Sequence, residues 1–63
     1  PDHPDTLFNL GNALYKRAGL LTPEKEKIQG FEKAIQKFEQ ALKIQPDHPD
    51  TLFNLGNALY KRA

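Results

Sequence analysis

The sequence contains no cysteine, methionine or tryptophan. Without cysteine the chain can form neither disulfide bonds nor thiolate metal sites, so packing alone must hold the fold together. A chain of 63 residues is at most one small domain, and a domain of this size buries only about 60% of the surface that its unfolded form exposes. We therefore expect marginal stability, with support from neighbouring segments of the same chain or of other chains.

An excess of charge of one sign is also missing. Nine Lys and Arg against eight Asp and Glu give a net charge of +1, whereas a nucleic-acid-binding surface is strongly basic. A helical array that reads one RNA base per repeat fits the helical pattern but not this charge. No apolar run approaches the roughly 20 residues that cross a bilayer, and the Pro1-Asp2 start does not resemble a signal peptide. We expect a soluble protein of cytoplasmic type without a membrane or nucleic-acid partner.

Side chains that could carry chemistry are few and scattered. His3 and His48 each lie in an Asp-His-Pro-Asp turn, with no second His or Cys at ligand spacing, so we predict exposed turn residues. The carboxylates are spread over helix starts and exposed faces, and no Ser-His-Asp or Cys-His grouping exists. The sequence therefore predicts no catalytic, metal-binding or cofactor-binding site, and no enzyme.

Eighteen residues occur twice in the chain. The segment Pro1–Ala18, PDHPDTLFNLGNALYKRA, recurs letter for letter 45 residues later as Pro46–Ala63. Periods of about 20–50 residues are typical of solenoids and other repeat arrays. We interpret residues 1–63 as a single unit, in which residues 1–45 form one full repeat and residues 46–63 the first helix of the next. Such identity is typical of a near-perfect array, either natural or engineered for regularity.

The duplicated segment predicts an amphipathic helix A. Its apolar residues lie three or four apart on one side, the spacing of a helix face packed on a neighbour. This stripe consists of Leu7, Leu10, Gly11, Leu14 and Ala18, and Leu21 continues it if the helix runs a few residues further. Asp2 can cap the start of the helix, which we place at about 4–20, with its second copy at about 49–62. Because Leu10 lies within the stripe, we expect Leu10→Asp to unfold the chain.

The middle of the sequence predicts a longer helix B, at about 23–44. We expect Thr22 to be its N-cap and Pro23 its first helical residue, and Pro46 prevents its continuation. Its apolar stripe repeats every three or four residues. The stripe consists of Ile28, Phe31, Ile35, Phe38 and Leu42, and small residues flank it at Gly30, Ala34 and Ala41. These small residues would let another helix approach closely.

Three parts of the pattern resemble the tetratricopeptide repeat (TPR) signature W-x-x-L-G-x-x-Y, A-x-x-x-F, P. They are Leu7-x-x-Leu10-Gly11-x-x-Leu14, Ala34-x-x-x-Phe38 and Pro46. The resemblance implies an all-α fold, an α-solenoid of antiparallel helical hairpins. The period exceeds the usual 34 residues by about three helical turns, so the apolar stripe stays in phase and the chain resembles a long-helix variant. We expect the apolar residues of the extra length to be buried: Leu20, Leu21, Ile28 and Phe31.

The resemblance also implies where a partner would bind. In the TPR family helix A builds most of the concave wall, and peptides bind there. The corresponding residues are Asp5, Phe8, Asn9, Asn12, Tyr15 and Lys16, and in the second copy Asp50, Phe53, Asn54, Asn57, Tyr60 and Lys61. A second interpretation stays open, because any amphipathic helix has a polar stripe that simply faces solvent.

The two ends of the chain predict self-association. The last helix lacks a following helix B, and the first lacks a preceding one, whereas a terminal repeat normally presents a polar outer face. We predict a self-association surface at Leu52, Leu55 and Leu59 that forms end-to-end homo-oligomers. The function predicted is thus a repeat scaffold for protein or peptide binding, prone to self-association. The alternative is a purely structural or engineered repeat without a natural ligand.

Overall fold

The computed structural model describes residues 3–63 and contains three α-helices: α1 (Pro4–Ala18), α2 (Glu24–Ile44) and α3 (Pro49–Arg62). No strand occurs within this part of the chain, so the prediction of an all-α helical-repeat fold is confirmed. Helices α1 and α3 both pack on α2 and barely touch each other. Helix α1 runs antiparallel to α2, since Phe8 contacts Phe38 whereas Tyr15, further along α1, contacts Phe31.

Helix α1 ends at Ala18, two residues before the predicted end. The amides of Leu20 and Leu21 donate to the carbonyls of Arg17 and Ala18, at 3.0 and 3.1 Å. Bonds to the third preceding residue form a tighter turn than the α-helix. The turn directs Leu20 into solvent, where it is 85% exposed, so the prediction that Leu20 is buried is wrong.

Helix α2 begins one residue later than predicted. The prediction that Thr22 is the N-cap and Pro23 the first helical residue is wrong, because Pro23 has an extended backbone (ψ −177°) and itself occupies the N-cap position. The helix ends at Ile44, as predicted. The next residue, Gln45, has φ −134° and ψ 79°, because the ring of a following proline disfavours helical backbone at the residue before it.

The two Asp-His-Pro-Asp turns differ in structure. The Asp2 cap lies outside the described residues, and His3 is exposed and makes no side-chain cap bond. His48 is half-buried, and its Nδ1 accepts a hydrogen bond from the Thr51 amide at 3.2 Å. Its ring meets that of Phe8 edge-on, with centroids 5.2 Å apart. The prediction of an exposed residue is wrong for His48, because the second turn folds against α1, whereas His3 is exposed as predicted.

The core lies along α2, where Phe31, Ala34, Ile35, Phe38 and Ala41 are buried. Ile28 and Leu42, at the ends of the predicted stripe, are half-buried. In α1 only part of the predicted apolar stripe packs on α2, and the rest faces solvent. Leu7 is buried against α2, whereas Leu10 is 42% exposed, so the prediction that Leu10 belongs to the core is wrong. The apolar stripe of α1 is thus wider than the face that packs on α2.

Candidate functional site

Helices α1 and α3 have the same sequence but bury different faces. In α1 the buried residues are Leu7, Gly11 and Ala18, whereas in α3 they are Thr51 and Ala58. This difference arises because α1 packs on one side of α2 and α3 packs on another. Each copy therefore leaves open the face that the other copy buries.

We call the two uncovered surfaces the α1 open face and the α3 open face. The α1 open face consists of Thr6, Leu10 and Ala13, whose counterparts in α3 are Thr51, Leu55 and Ala58. The α3 open face consists of Leu52, Phe53, Gly56, Leu59 and Tyr60, whose counterparts in α1 are Leu7, Phe8, Gly11, Leu14 and Tyr15. The three predicted self-association leucines are divided by this arrangement: Leu52 and Leu59 lie on the α3 open face, whereas Leu55 packs against the core.

The face of α1 that packs on α2 is held by close contacts with two aromatic rings of α2. A methyl group built on Gly11 would lie 2.6 Å from Cε1 of Phe38, so only glycine leaves room for that ring. The Phe8 and Phe38 ring centroids are 6.3 Å apart, and those of Tyr15 and Phe31 are 5.4 Å apart. Such tilted aromatic pairs add stabilisation beyond their buried area. The predicted site residues Phe8 and Tyr15 are therefore half-buried packing residues.

A hydrogen bond between two predicted site residues connects α1 to α3. The Asn54 side-chain amide donates to Oδ1 of Asn12 at 2.7 Å. These residues are not repeat equivalents, because the counterpart of Asn54 is Asn9 and that of Asn12 is Asn57. The helical pattern of the sequence does not predict this bond, because the bond depends on how α1 and α3 are shifted relative to each other along α2.

Six of the twelve predicted site residues line one concave surface, which we call the α1–α3 groove. One part is a shallow cavity of about 260 Å³, and the adjoining part measures about 310 Å³. The six residues are Asn12, Tyr15, Lys16, Asn54, Asn57 and Lys61. Phe31 of α2 lies in the wall, and Lys16 and Lys61 supply two ammonium groups without a carboxylate among the lining residues.

The other six predicted residues lie outside this groove. Asp5, Asn9 and Asp50 are exposed. Phe8 packs against Phe38 and His48, as described above. Phe53 and Tyr60 are 69% and 80% exposed on the α3 open face.

Two further properties concern residues 3–63 alone. No group of three or more His, Asp or Glu side chains in this range is placed to hold a metal ion. None of the three helices is long and apolar enough to cross a membrane.

The comparisons with known proteins agree with the helical pattern. A family model described as TPR repeat matches residues 28–62, a range that runs from the first turns of α2 to the end of α3. Comparison with curated proteins gives no significant match, and comparison with solved structures gives none. Because the family match covers more than half of the sequence, the chain belongs to the tetratricopeptide repeat family.

Proposed function

We propose that this chain is a scaffold for protein–protein interaction and that the α1–α3 groove binds a peptide segment of the partner. The observation that supports this proposal is the convergence of six predicted residues on one concave surface. Amide, phenol and ammonium groups line it, and these groups can bond both to a peptide backbone and to carboxylates. Because Lys16 and Lys61 both lie at the groove, we propose an extended peptide with acidic side chains.

The internal hydrogen bond limits which atoms can serve the ligand. The bond engages one hydrogen of the Asn54 amide and Oδ1 of Asn12. An asparagine side chain offers two donor hydrogens and one acceptor oxygen. The Asn12 amide nitrogen and the Asn54 oxygen therefore stay available for a peptide backbone, while their orientation is fixed by the bond between them. Asn57 is exposed and retains both groups.

Peptide titration tests the groove. A library of acidic and neutral peptides is titrated against the wild-type chain, Asn57→Ala and the double variant Lys16→Ala/Lys61→Ala. Lys43→Ala is the matched control, because Lys43 is an exposed lysine of α2 outside the groove. We expect weaker binding of acidic peptides in the two groove variants alone. Equal binding by all four proteins, or no peptide binding at all, would contradict the groove.

We also propose end-to-end self-association as a second property of this scaffold. Both ends carry exposed leucines: Leu52 and Leu59 are 50% and 38% exposed on the α3 open face, and Leu10 is 42% exposed on the α1 open face. A contact between two different surfaces propagates unless it closes into a ring. Sedimentation from micromolar to millimolar concentration should show a mass that grows with concentration and falls in Leu52→Lys. A monomer at every concentration would contradict self-association.

The alternative is a purely structural repeat, without a natural ligand. The letter-for-letter identity of eighteen residues favours this alternative, because it is typical of sequences made regular for their own packing. The peptide titration separates the two functions, since a purely structural repeat would show no binding that depends on groove residues.

A further inference from the structure

One end of the α1–α3 groove is apolar, although the rest of the groove is lined mainly by asparagines. Tyr15, Phe31 and Leu20 meet at this end, next to Gly19. Phe31 is buried and Tyr15 is half-buried, with their ring centroids 5.4 Å apart, whereas the Leu20 side chain is 85% exposed. A partner that covered Leu20 would remove apolar surface from water on both molecules, which is favourable.

The turn that joins α1 to α2 places Leu20 at the groove. The adjacent Leu21 is half-buried and lines a different cavity, between α1 and α2. The turn thus packs one leucine inside the hairpin and presents the other to the groove, on neither of the two open faces. The match to the repeat family begins at residue 28. The family resemblance therefore does not account for an exposed apolar side chain at this place.

We propose that this end of the groove binds one large apolar side chain of an otherwise acidic peptide. The inference rests on the proposed groove function and names the side chain that makes the peptide specific. We call this end the Leu20 pocket, and it consists of Tyr15, Lys16, Gly19, Leu20, Phe31 and Lys61. In the bound state the apolar side chain of the peptide lies over Leu20 and Phe31, and the acidic residues on either side of it bond to the lysines.

Charge complementarity selects this combination of side chains. Lys16 of α1 and Lys61 of α3 line the same pocket as Leu20, and no carboxylate is among the lining residues. A purely acidic segment would pair with the ammonium groups but leave Leu20 in water, whereas a purely apolar segment would leave both ammonium groups without a partner. An apolar side chain with aspartate or glutamate beside it satisfies both, because charge-assisted hydrogen bonds orient the peptide while the apolar contact anchors it.

The test uses a flexible peptide of glycine, serine and aspartate with a single leucine at its centre and a fluorescent label at one end. A second peptide has alanine in place of the leucine. Both are titrated against the full chain by fluorescence anisotropy. Burial of about two additional methylene-sized groups should make the leucine peptide bind about tenfold more tightly than the alanine peptide. In Leu20→Ala this preference should fall below about threefold.

Two controls show whether the effect belongs to the pocket. Leu10→Ala removes another exposed leucine, which lies outside the groove, so the preference for the leucine peptide should be retained. Because Leu20 is so exposed, Leu20→Ala should leave the helical circular dichroism and the affinity for the alanine peptide unchanged. A leucine peptide with asparagine in place of each aspartate should bind about tenfold more weakly than the aspartate form.

Equal binding of the leucine and alanine peptides to the wild-type chain would overturn the inference. A preference that persists in Leu20→Ala would place the apolar side chain elsewhere and overturn it as well. Equal binding of the aspartate and asparagine peptides would refute the acidic part of the motif. If the mass of the chain alone grew with concentration and Leu20→Ala abolished this growth, a second copy would occupy the pocket and the partner named here would be wrong.

These outcomes are distinguishable from a failure of the proposed function. If both aspartate peptides bind equally and lose affinity in Lys16→Ala/Lys61→Ala, the groove stands and only the inference about the Leu20 pocket fails. If neither peptide binds, or if binding is the same in that double variant, the groove and the inference fail together.

Discussion

The two glycines Gly11 and Gly56 allow the effect of side-chain packing on stability to be separated from the intrinsic helix propensity of the residue. They occupy the same place in identical eighteen-residue segments, so replacement by alanine changes the intrinsic helix preference equally at both positions. A mid-helix Gly→Ala change favours the helix by about 1 kcal/mol. The surroundings differ, because a methyl group at Gly11 would lie 2.6 and 2.7 Å from two carbons of the buried Phe38 ring, whereas the one at Gly56 meets nothing within 4 Å.

The magnitudes follow from this difference. Gly56→Ala should raise the free energy of unfolding by up to about 1 kcal/mol. At Gly11 the same gain is opposed by overpacking against the fully buried Phe38 ring, at a cost of about 1–3 kcal/mol. Gly11→Ala should therefore be neutral or destabilising by up to about 2 kcal/mol, and the two variants should differ by about 1–3 kcal/mol.

Urea and thermal unfolding, followed by helical circular dichroism, measure this difference. In a domain of this size 1 kcal/mol shifts the midpoint temperature by about 4–8 °C, so the order of the variants is readily resolved. An unchanged dependence of the free energy on urea serves as the control that both variants unfold from the same fold. If Gly11→Ala proves as stable as Gly56→Ala, the close packing of Phe38 on α1 is refuted.

Two further pairs of variants use the same duplication. His48→Ala removes the Thr51 cap and the ring contact with α1, so the free energy of unfolding should fall by about 1–2 kcal/mol, while His3→Ala should leave it unchanged; equal losses in urea unfolding would count against the cap. Leu7→Ala creates a cavity and should cost about 2–5 kcal/mol, whereas Leu52→Ala, at a half-exposed position, should cost less than about 1 kcal/mol. Similar costs for both leucines, measured by the same unfolding assay, would show that α1 and α3 bury the same face.

The sequence predicts the helices well, because their ends depend on local chemistry. Pro46 stops α2, and each A-type helix begins at a proline that suits the first helical position. The bounds of all three helices lie within two residues of those predicted. The buried stripe of α2 also follows from its spacing, since this helix is covered by both neighbours.

The environment of each identical copy could not be predicted from its residues. Leu10 and Leu55 share the same local sequence, yet Leu10 is open to solvent and Leu55 packs against the core. Periodicity identifies a wide apolar stripe but not which neighbour covers which side, because that depends on the order of elements in space. The Asn12–Asn54 bond has the same origin, since it joins non-equivalent positions of two repeats. The resemblance to the family was enough to select the groove residues. It could not show which of the selected residues pack against α2 and which present polar groups to the groove.

Helices α1 and α3 bury different faces of the same sequence. Thiol labelling tests this difference most directly, because the chain has no cysteine of its own. Four single-cysteine variants are compared at micromolar concentration, at Thr6, Thr51, Leu7 and Leu52. We predict rapid labelling at Thr6 and Leu52, and labelling at Thr51 and Leu7 at least about tenfold slower, because access there requires local opening. Equal rates within each equivalent pair, Thr6 with Thr51 and Leu7 with Leu52, would contradict the account.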